Sequence, residues 1–411
     1  MLKELDIAII GAGPAGLAMA LMLSRQGHHV TVFERFEAAL PVGSGLMLQP
    51  TGLSVLASLG LVDAICALGA RIDRLRGADA TNGRTVLDVR YDALSGGRFG
   101  LGVHRAALFS TLHDAVLAAD VQIVTKSDIS AVRECQDKIF VMIGERDKAG
   151  PFDLVVDASG ARSRLASRLP GATEPRDLAF GAWWATLEAG DFAHDRHALV
   201  QRYDEARVMI GLLPVGRERR DGGERIAFFW SQKLAGIETV KARGMAAWKD
   251  RVLGYWPEVA PLLMQISDWE QLSLARYRHR TLSRPCIGRL VFIGDAAHST
   301  SPQLGQGANM ALLDAAALAQ GLSVAGDVRA ALAHYADSRR AHVRLFQALS
   351  LAFTPFYQSD SRMLAFIRDR FVASLSRLPP VSALLAAIVS GTLVDPFRGT
   401  AVRECDWRGL A

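Results

Sequence analysis

The chain has 411 residues, half of them hydrophobic, and a net charge of +5. That length exceeds one ordinary core, so two domains or one elaborated domain are expected. The basic residues are scattered and do not alternate with aromatics, which gives no support to a nucleic-acid partner and leaves steering of anionic ligands as their collective effect. Cys66, Cys135, Cys286 and Cys405 form no C-x-x-C pair, so neither a metal knuckle nor a redox dithiol is expected. With no signal-peptide pattern at the start, the thiols read as reduced and the protein as cytoplasmic. No uninterrupted apolar run reaches the ~18 residues that a membrane span needs.

Leu5 to Arg35 reads as strand, glycine turn, helix, strand. Ile7 to Ile10 is apolar, Gly11-x-Gly13-x-x-Gly16 follows, and Leu17 to Arg25 has helical spacing. Val30 to Phe33 is a second buried strand ending at Glu34. Gly11 permits the tight turn, Gly13 lets a pyrophosphate approach the backbone beside Ala15, and Gly16 lets the helix lie close to the strand. The helix start then presents free amides and a positive dipole end to the phosphates. Glu34, followed by Arg35, is placed to accept from both ribose hydroxyls, which suits FAD or NAD rather than a 2′-phosphate.

Further along, Phe152 to Val156 is a strand leading into Asp157-Ala158-Ser159-Gly160. From Phe180 to Leu274, short runs rich in Trp, Phe, Val and Ile alternate with turns, the pattern of an antiparallel sheet. Alternation along these strands nominates pocket residues: Gln201 with Tyr203, Met209, Phe228 with Trp230, and Trp183 or its neighbour Trp184. Tyr203 is the best polar candidate there.

The stretch from Gly294 reads Gly294-Asp295-Ala296-Ala297-His298, three residues, Pro302, two residues, then Gly305-Gln306-Gly307-Ala308-Asn309. Here the chain closely resembles the group A flavin monooxygenases, the para-hydroxybenzoate hydroxylase type, whose G-D-A-A-H-x-x-x-P-x-x-G-Q-G-x-N signature is matched at every fixed position. The resemblance implies an α/β fold: a Rossmann-like FAD-binding domain of glutathione-reductase type, a mixed or antiparallel substrate sheet and C-terminal helices. It divides the chain into an FAD domain (1–73, 101–179 and 275–355), a sheet domain (74–100 and 180–274) and a helical tail (356–411). The tail resembles, more loosely, that of the ubiquinone-pathway hydroxylases, where such helices pack on their own domain, form a dimer or touch a membrane surface. A monomer or homodimer follows.

On this resemblance Gly294 and Asp295 reach the ribityl chain, while Pro302, Gly305 and Gly307 lie against the flavin. Ala308 and Asn309 open a helix towards its N1–C2=O edge. Arg105 opens a helix and reaches FAD; Asp157 belongs to a motif that contacts FAD or NAD(P)H, although Ala158 stands where relatives often have glycine. Gly43 to Leu48 run past the ring, with Gly45 at the cofactor and Leu46 and Leu48 in the pocket. Pro302 borders the pocket as well.

The implied reaction is reduction of FAD by NADH or NADPH, addition of O2 at C4a, and oxygen transfer from the hydroperoxide to an aromatic or polycyclic substrate. Epoxidation, Baeyer–Villiger insertion, N-oxidation, a flavin-dependent reduction and non-catalytic FAD binding remain open beside hydroxylation. Tyr203 and His298 are the candidates for a catalytic base, His298 more as a structural histidine. No metal site is expected.

Overall fold

In a computed structural model of the chain, residues 2–37, 44–169, 174–372, 376 and 378–410 are described, with the side chains of residues 371 and 372 left aside. Gly43 therefore lies outside the described residues. The core of the first layer is a six-stranded sheet in the order Cys286–Ile287, Leu290–Phe292, Leu154–Asp157, Asp6–Ile10, His29–Phe33, Gln122–Val124. All neighbours run parallel except the two-residue edge strand. Ile10 lies opposite both Phe33 and Asp157, and Asp157 lies opposite Phe292. Three turns far apart in sequence thus leave the same sheet edge side by side, where open α/β sheets bind ligands.

The second layer is a seven-stranded sheet: Ser273–His279, Arg176–Glu188, Arg225–Lys233, Val208–Gly216, Ala198–Asp204, Arg74–Asp79, Thr85–Arg90. It is antiparallel except where Ala198–Asp204 runs parallel to Arg74–Asp79. The domain boundaries expected at 179/180 and 274/275 fall inside two of these strands. The stretch expected to be all sheet also contains helices at Ile237–Ala242, Met245–Tyr255 and Ala260–Leu263. In helix Met245–Tyr255, Trp248 and Val252 recur at helical spacing and bury together. Trp248 packs edge-on against Trp183, Phe228 and Trp230 at 6.1–6.2 Å between ring centroids. These helices therefore cover the outer face of the sheet.

Helix Gly307–Val324 packs between helix Pro14–Arg25 and the long helix Val328–Tyr357. Its alanines allow close approach, and Asp314 at its middle is fully buried. That carboxylate accepts from Gly294 N at 2.8 Å, from His298 Nε2 at 2.5 Å and from Arg339 Nε at 2.8 Å. Arg339 also donates to His342 Nδ1 at 3.3 Å, and His342 Nε2 donates to Gly391 O at 3.0 Å. Burial and Arg339 hold His342 down at about 3, so it is neutral and fits this donor–acceptor order.

Burial alone would raise the Asp314 carboxyl, but the imidazolium of His298 and the guanidinium of Arg339 offset that and hold it at about 2. His298 moves the other way: burial lowers it, and Asp314 more than compensates. The stability contributed by Asp314, on the order of 2 kcal/mol, is fully present above about pH 4 and is lost as pH falls through its folded value. The contribution of His298 is present below its ordinary value and declines as pH rises through the raised one. Asp314→Asn should cost ~3–5 kcal/mol, because it leaves Arg339 charged and uncompensated in the interior. Thermal melts from pH 7 to pH 3 check both claims. The native protein should lose midpoint along the acid limb, and the variant should start lower and fall less steeply.

Candidate active site

A cavity of about 790 Å³ lies between the two sheets. The first glycine turn lines it with Gly11, Gly13 and Ala15, and the next strand end lines it with Glu34 and Arg35. Gly45, Leu46 and Arg105 follow, and the third turn contributes Asp295, Pro302, Gly305, Gly307 and Ala308. Two helices open on this space, Pro14–Arg25 and Gly307–Val324, and neither has a side-chain cap or an acid in its first turn. Their first amides are thus left for a ligand.

The two glycines of the first turn differ in kind. A Cβ on Gly16 would stand 2.0 Å from Gly11 O, so this position is needed for helix-on-strand packing. A Cβ on Gly13 would meet no protein atom within 4 Å and would project into the cavity. Glu34 accepts from Ala12 N at 2.8 Å and Phe36 N at 3.1 Å, fixing the turn while keeping lone pairs free.

Four residues assigned to the cofactor lie behind the cavity wall, and each has a structural partner. Gly16 packs on Gly11. Asp157 is fully buried and accepts from Ser159 N, Ser159 Oγ and Ser163 Oγ, which shapes its own loop. Gly294 donates to Asp314. Asn309 clasps two loops, accepting from Gln49 N at 2.8 Å and donating to Met47 O and Gly305 O. His298 is likewise bonded to Asp314 and does not line the cavity.

In the roof, Gln201, Tyr203 and Met209 line the cavity as expected from alternation. Trp183, Phe228 and Trp230 do not; they belong to the outer core around Trp248, and Trp184, Phe229 and Leu213 occupy the inner face instead. Leu48 is fully buried in the core of the first layer, away from the cavity. The end of the long helix and the tail supply wall that no sequence pattern indicated: Phe353, Tyr357, Gln358, Leu385, Ile388 and Val389. Burial pushes the Tyr203 phenol well above its ordinary range, Tyr357 adds to this and Arg368 opposes it. Tyr203 therefore stays protonated and donates to Gln201 Oε1 at 3.0 Å, which fits a positioning group and not a base.

The FAD binding domain family model matches residues 4–349, most of the chain. Aligned with 3-amino-4-hydroxybenzoate 2-monooxygenase of Streptomyces cremeus, the chain is 30% identical over 77% of its own length and 78% of the relative's. The chain belongs to this family of FAD-dependent aromatic monooxygenases. It is also 26% identical to the aurachin C monooxygenase/isomerase of Stigmatella aurantiaca, over 92% and 96% of the two chains. Among solved structures it resembles Klebsiella pneumoniae HpxO complexed with FAD and uric acid, with TM-score 0.81, 24% identity and coverage of 95% and 98%. That likeness shows the shared fold.

FAD fits what this monooxygenase presents: an open approach at Gly13, two uncapped helix starts and a carboxylate, Asp295, in the cavity lining. Gly13→Val should fold normally yet bind FAD at least about tenfold more weakly, a loss of ~1.4 kcal/mol or more. Gly16→Val should fail to fold, since its side chain has no space. Circular dichroism with flavin fluorescence of the desalted proteins separates the two outcomes. Asp295→Ala should purify colourless; a variant that keeps full FAD content would remove Asp295 from the cofactor site.

Proposed function

We propose that this monooxygenase takes electrons from NADH or NADPH and inserts one atom of O2 into a flat aromatic ring held beneath the roof sheet. The observation that carries the reading is the continuity of the cavity, which joins the glycine turns to a chamber walled by Trp184, Phe229, Tyr203 and Tyr357. FAD, when bound, supplies the redox and oxygen-activating chemistry. The protein's own residues bind, orient and shield.

In this reading the Gly11–Gly13 turn and the start of helix Pro14–Arg25 receive the pyrophosphate, and Glu34 takes the ribose hydroxyls. Asp295 holds the ribityl chain and Arg105 adds a cation beside the phosphates. The free amides at the start of helix Gly307–Val324 stabilise negative charge on the adjoining ring edge. The roof keeps water from the reacting face. Burial pushes the phenols of Tyr203, Tyr277 and Tyr357 upward, so they act as hydrogen-bonding groups at neutral pH. A second complete G-x-G-x-x-G turn is absent from the sequence, which supports a nicotinamide that docks transiently.

The test uses FAD-loaded protein under anaerobic conditions, then in air. NADH or NADPH should bleach the flavin, faster with an aromatic ligand present, and admission of air should consume O2. The product should gain one oxygen atom by mass. Stimulated NAD(P)H oxidation with an unchanged product mass would argue for a reductase or an uncoupled oxidase.

A further inference from the structure

Tyr277 lies on the strand Ser273–His279, at the edge of the seven-stranded sheet, and lines the cavity. Ser273 and Ala275, in phase with it, pair with Trp184 and Ala182 on the inner face. Opposite Tyr277 itself the ladder breaks. Arg276 pairs with Gly181 and Arg278 with Asp177, so Tyr277 alone stands against three residues of the facing strand. Bulges of this kind re-aim side chains and are common beside active sites.

The ring is half-buried and its oxygen is fixed: Trp184 Nε1 donates to Tyr277 Oη at 3.1 Å. The indole is held in turn, tilted against Phe229 at 4.7 Å between ring centroids. With that lone pair taken, the phenol has its O–H left to give, and among the described residues none accepts it. The cavity that the ring lines is where an acceptor can stand. The other two phenols on the cavity differ. Tyr203 spends its hydrogen on Gln201 Oε1 at 3.0 Å, and Tyr357 is held by its ring, against Tyr203 and Arg368.

A cation stands on the same side. Arg105 opens helix Arg105–Ala118 and lines the cavity. Burial pushes the Tyr277 phenol up, and the Trp184 N–H and the Arg105 guanidinium oppose that rise. At Asp295 burial also raises the carboxyl, and there His298 and Arg105 oppose it. One guanidinium thus serves both the roof strand and the third glycine turn. A ring oxygen beside Tyr277 meets an O–H donor within reach of a positive charge, and both favour the oxygen as its anion.

We propose that Tyr277 orients the ring substrate by donating its O–H to a ring oxygen, which it favours in the anionic form, and that Trp184 is a positioning residue that holds the phenol for this task. This rests on the reading of the cavity as the ring-binding site of a monooxygenase. A hydrogen bond to an ionised oxygen is about twice as strong as one to a neutral oxygen, so the donor selects rings that carry an acidic hydroxyl. A ring without an acceptor leaves the O–H unpaired in a partly desolvated place and forgoes that selection.

The test uses the FAD-loaded full chain and two probes: pentafluorophenol, which ionises below neutral pH, and pentafluorobenzene, which has no oxygen. Binding is read from the visible flavin bands, and ionisation of the bound phenol from its fluorine NMR shifts. In the native chain the bound phenol should ionise at a lower pH than in water. Tyr277→Phe should bind the phenol anion at least about tenfold more weakly, bind pentafluorobenzene as before and move the ionisation up by about one pH unit or more. Trp184→Phe keeps an aromatic ring against Phe229 and should move both readings the same way, by less. An equal loss of both probes in Tyr277→Phe would mark a structural role and overturn the proposal. It falls too if the FAD-loaded variant binds both probes as the native chain does, or if the native chain fails to bind pentafluorophenol up to its solubility limit. Should Tyr277→Phe not load FAD, the native chain decides: a bound phenol that ionises at or above its pH in water refutes the assignment. Trp184→Phe without effect removes the positioning role. Absence of NAD(P)H-driven O2 uptake would sink the enzymatic reading instead, because these titrations read ring binding alone.

Discussion

The carboxylate of Asp314 is the contact on which the rest of the molecule converges. It takes the amide of Gly294, where the sheet ends and the third turn begins, together with the imidazole of His298 and the guanidinium of Arg339. Each partner lies on a different segment, so one buried group fixes the strand end, the short helix after it and the long helix Val328–Tyr357. Three donors and two counter-cations make the burial of this charge tolerable, since an unpaired carboxylate in the same place would be neutralised or would unfold its surroundings. The interaction extends through His342 to Gly391, which ties the tail into the same cluster.

What the sequence disclosed and what it hid follow from this geometry. The place of Gly11, Gly13, Glu34 and Asp295 on the cavity was legible because each sits in its own turn after a strand, and the parallel register brings the turns together. Asn309, Asp157 and His298 were legible as members of motifs but not as to what they touch. Each bonds to protein groups behind the cavity wall, and a motif does not separate a residue that faces a cavity from one that steadies its neighbour.

The roof was read half correctly for a different reason. Alternation places Gln201 with Tyr203 and divides Trp183 from Trp184, yet both faces of that sheet are apolar. One face is covered by helices that the sequence reading took for strands, and the aromatic cluster around Trp248 drew Trp183, Phe228 and Trp230 to that side. Period-two patterning identifies a face without saying what covers it. The wall contributed by Phe353, Tyr357, Gln358, Leu385, Ile388 and Val389 was invisible, because only the packing of these C-terminal helices against the roof makes those residues neighbours of the cavity.

That wall is also where the family's chemistry becomes particular to this chain. The part of the cavity beside the glycine turns is built from backbone, helix starts and a few carboxylates. The chamber is built from side chains of separate segments, the roof strands and the C-terminal helices. They are nevertheless held in register with it: Gln306, immediately before helix Gly307–Val324, donates to Val389 O at 2.6 Å, and Ile388 and Val389 face the cavity. This amide, with the bond from His342 to Gly391 O, ties the tail to the loop before helix Gly307–Val324.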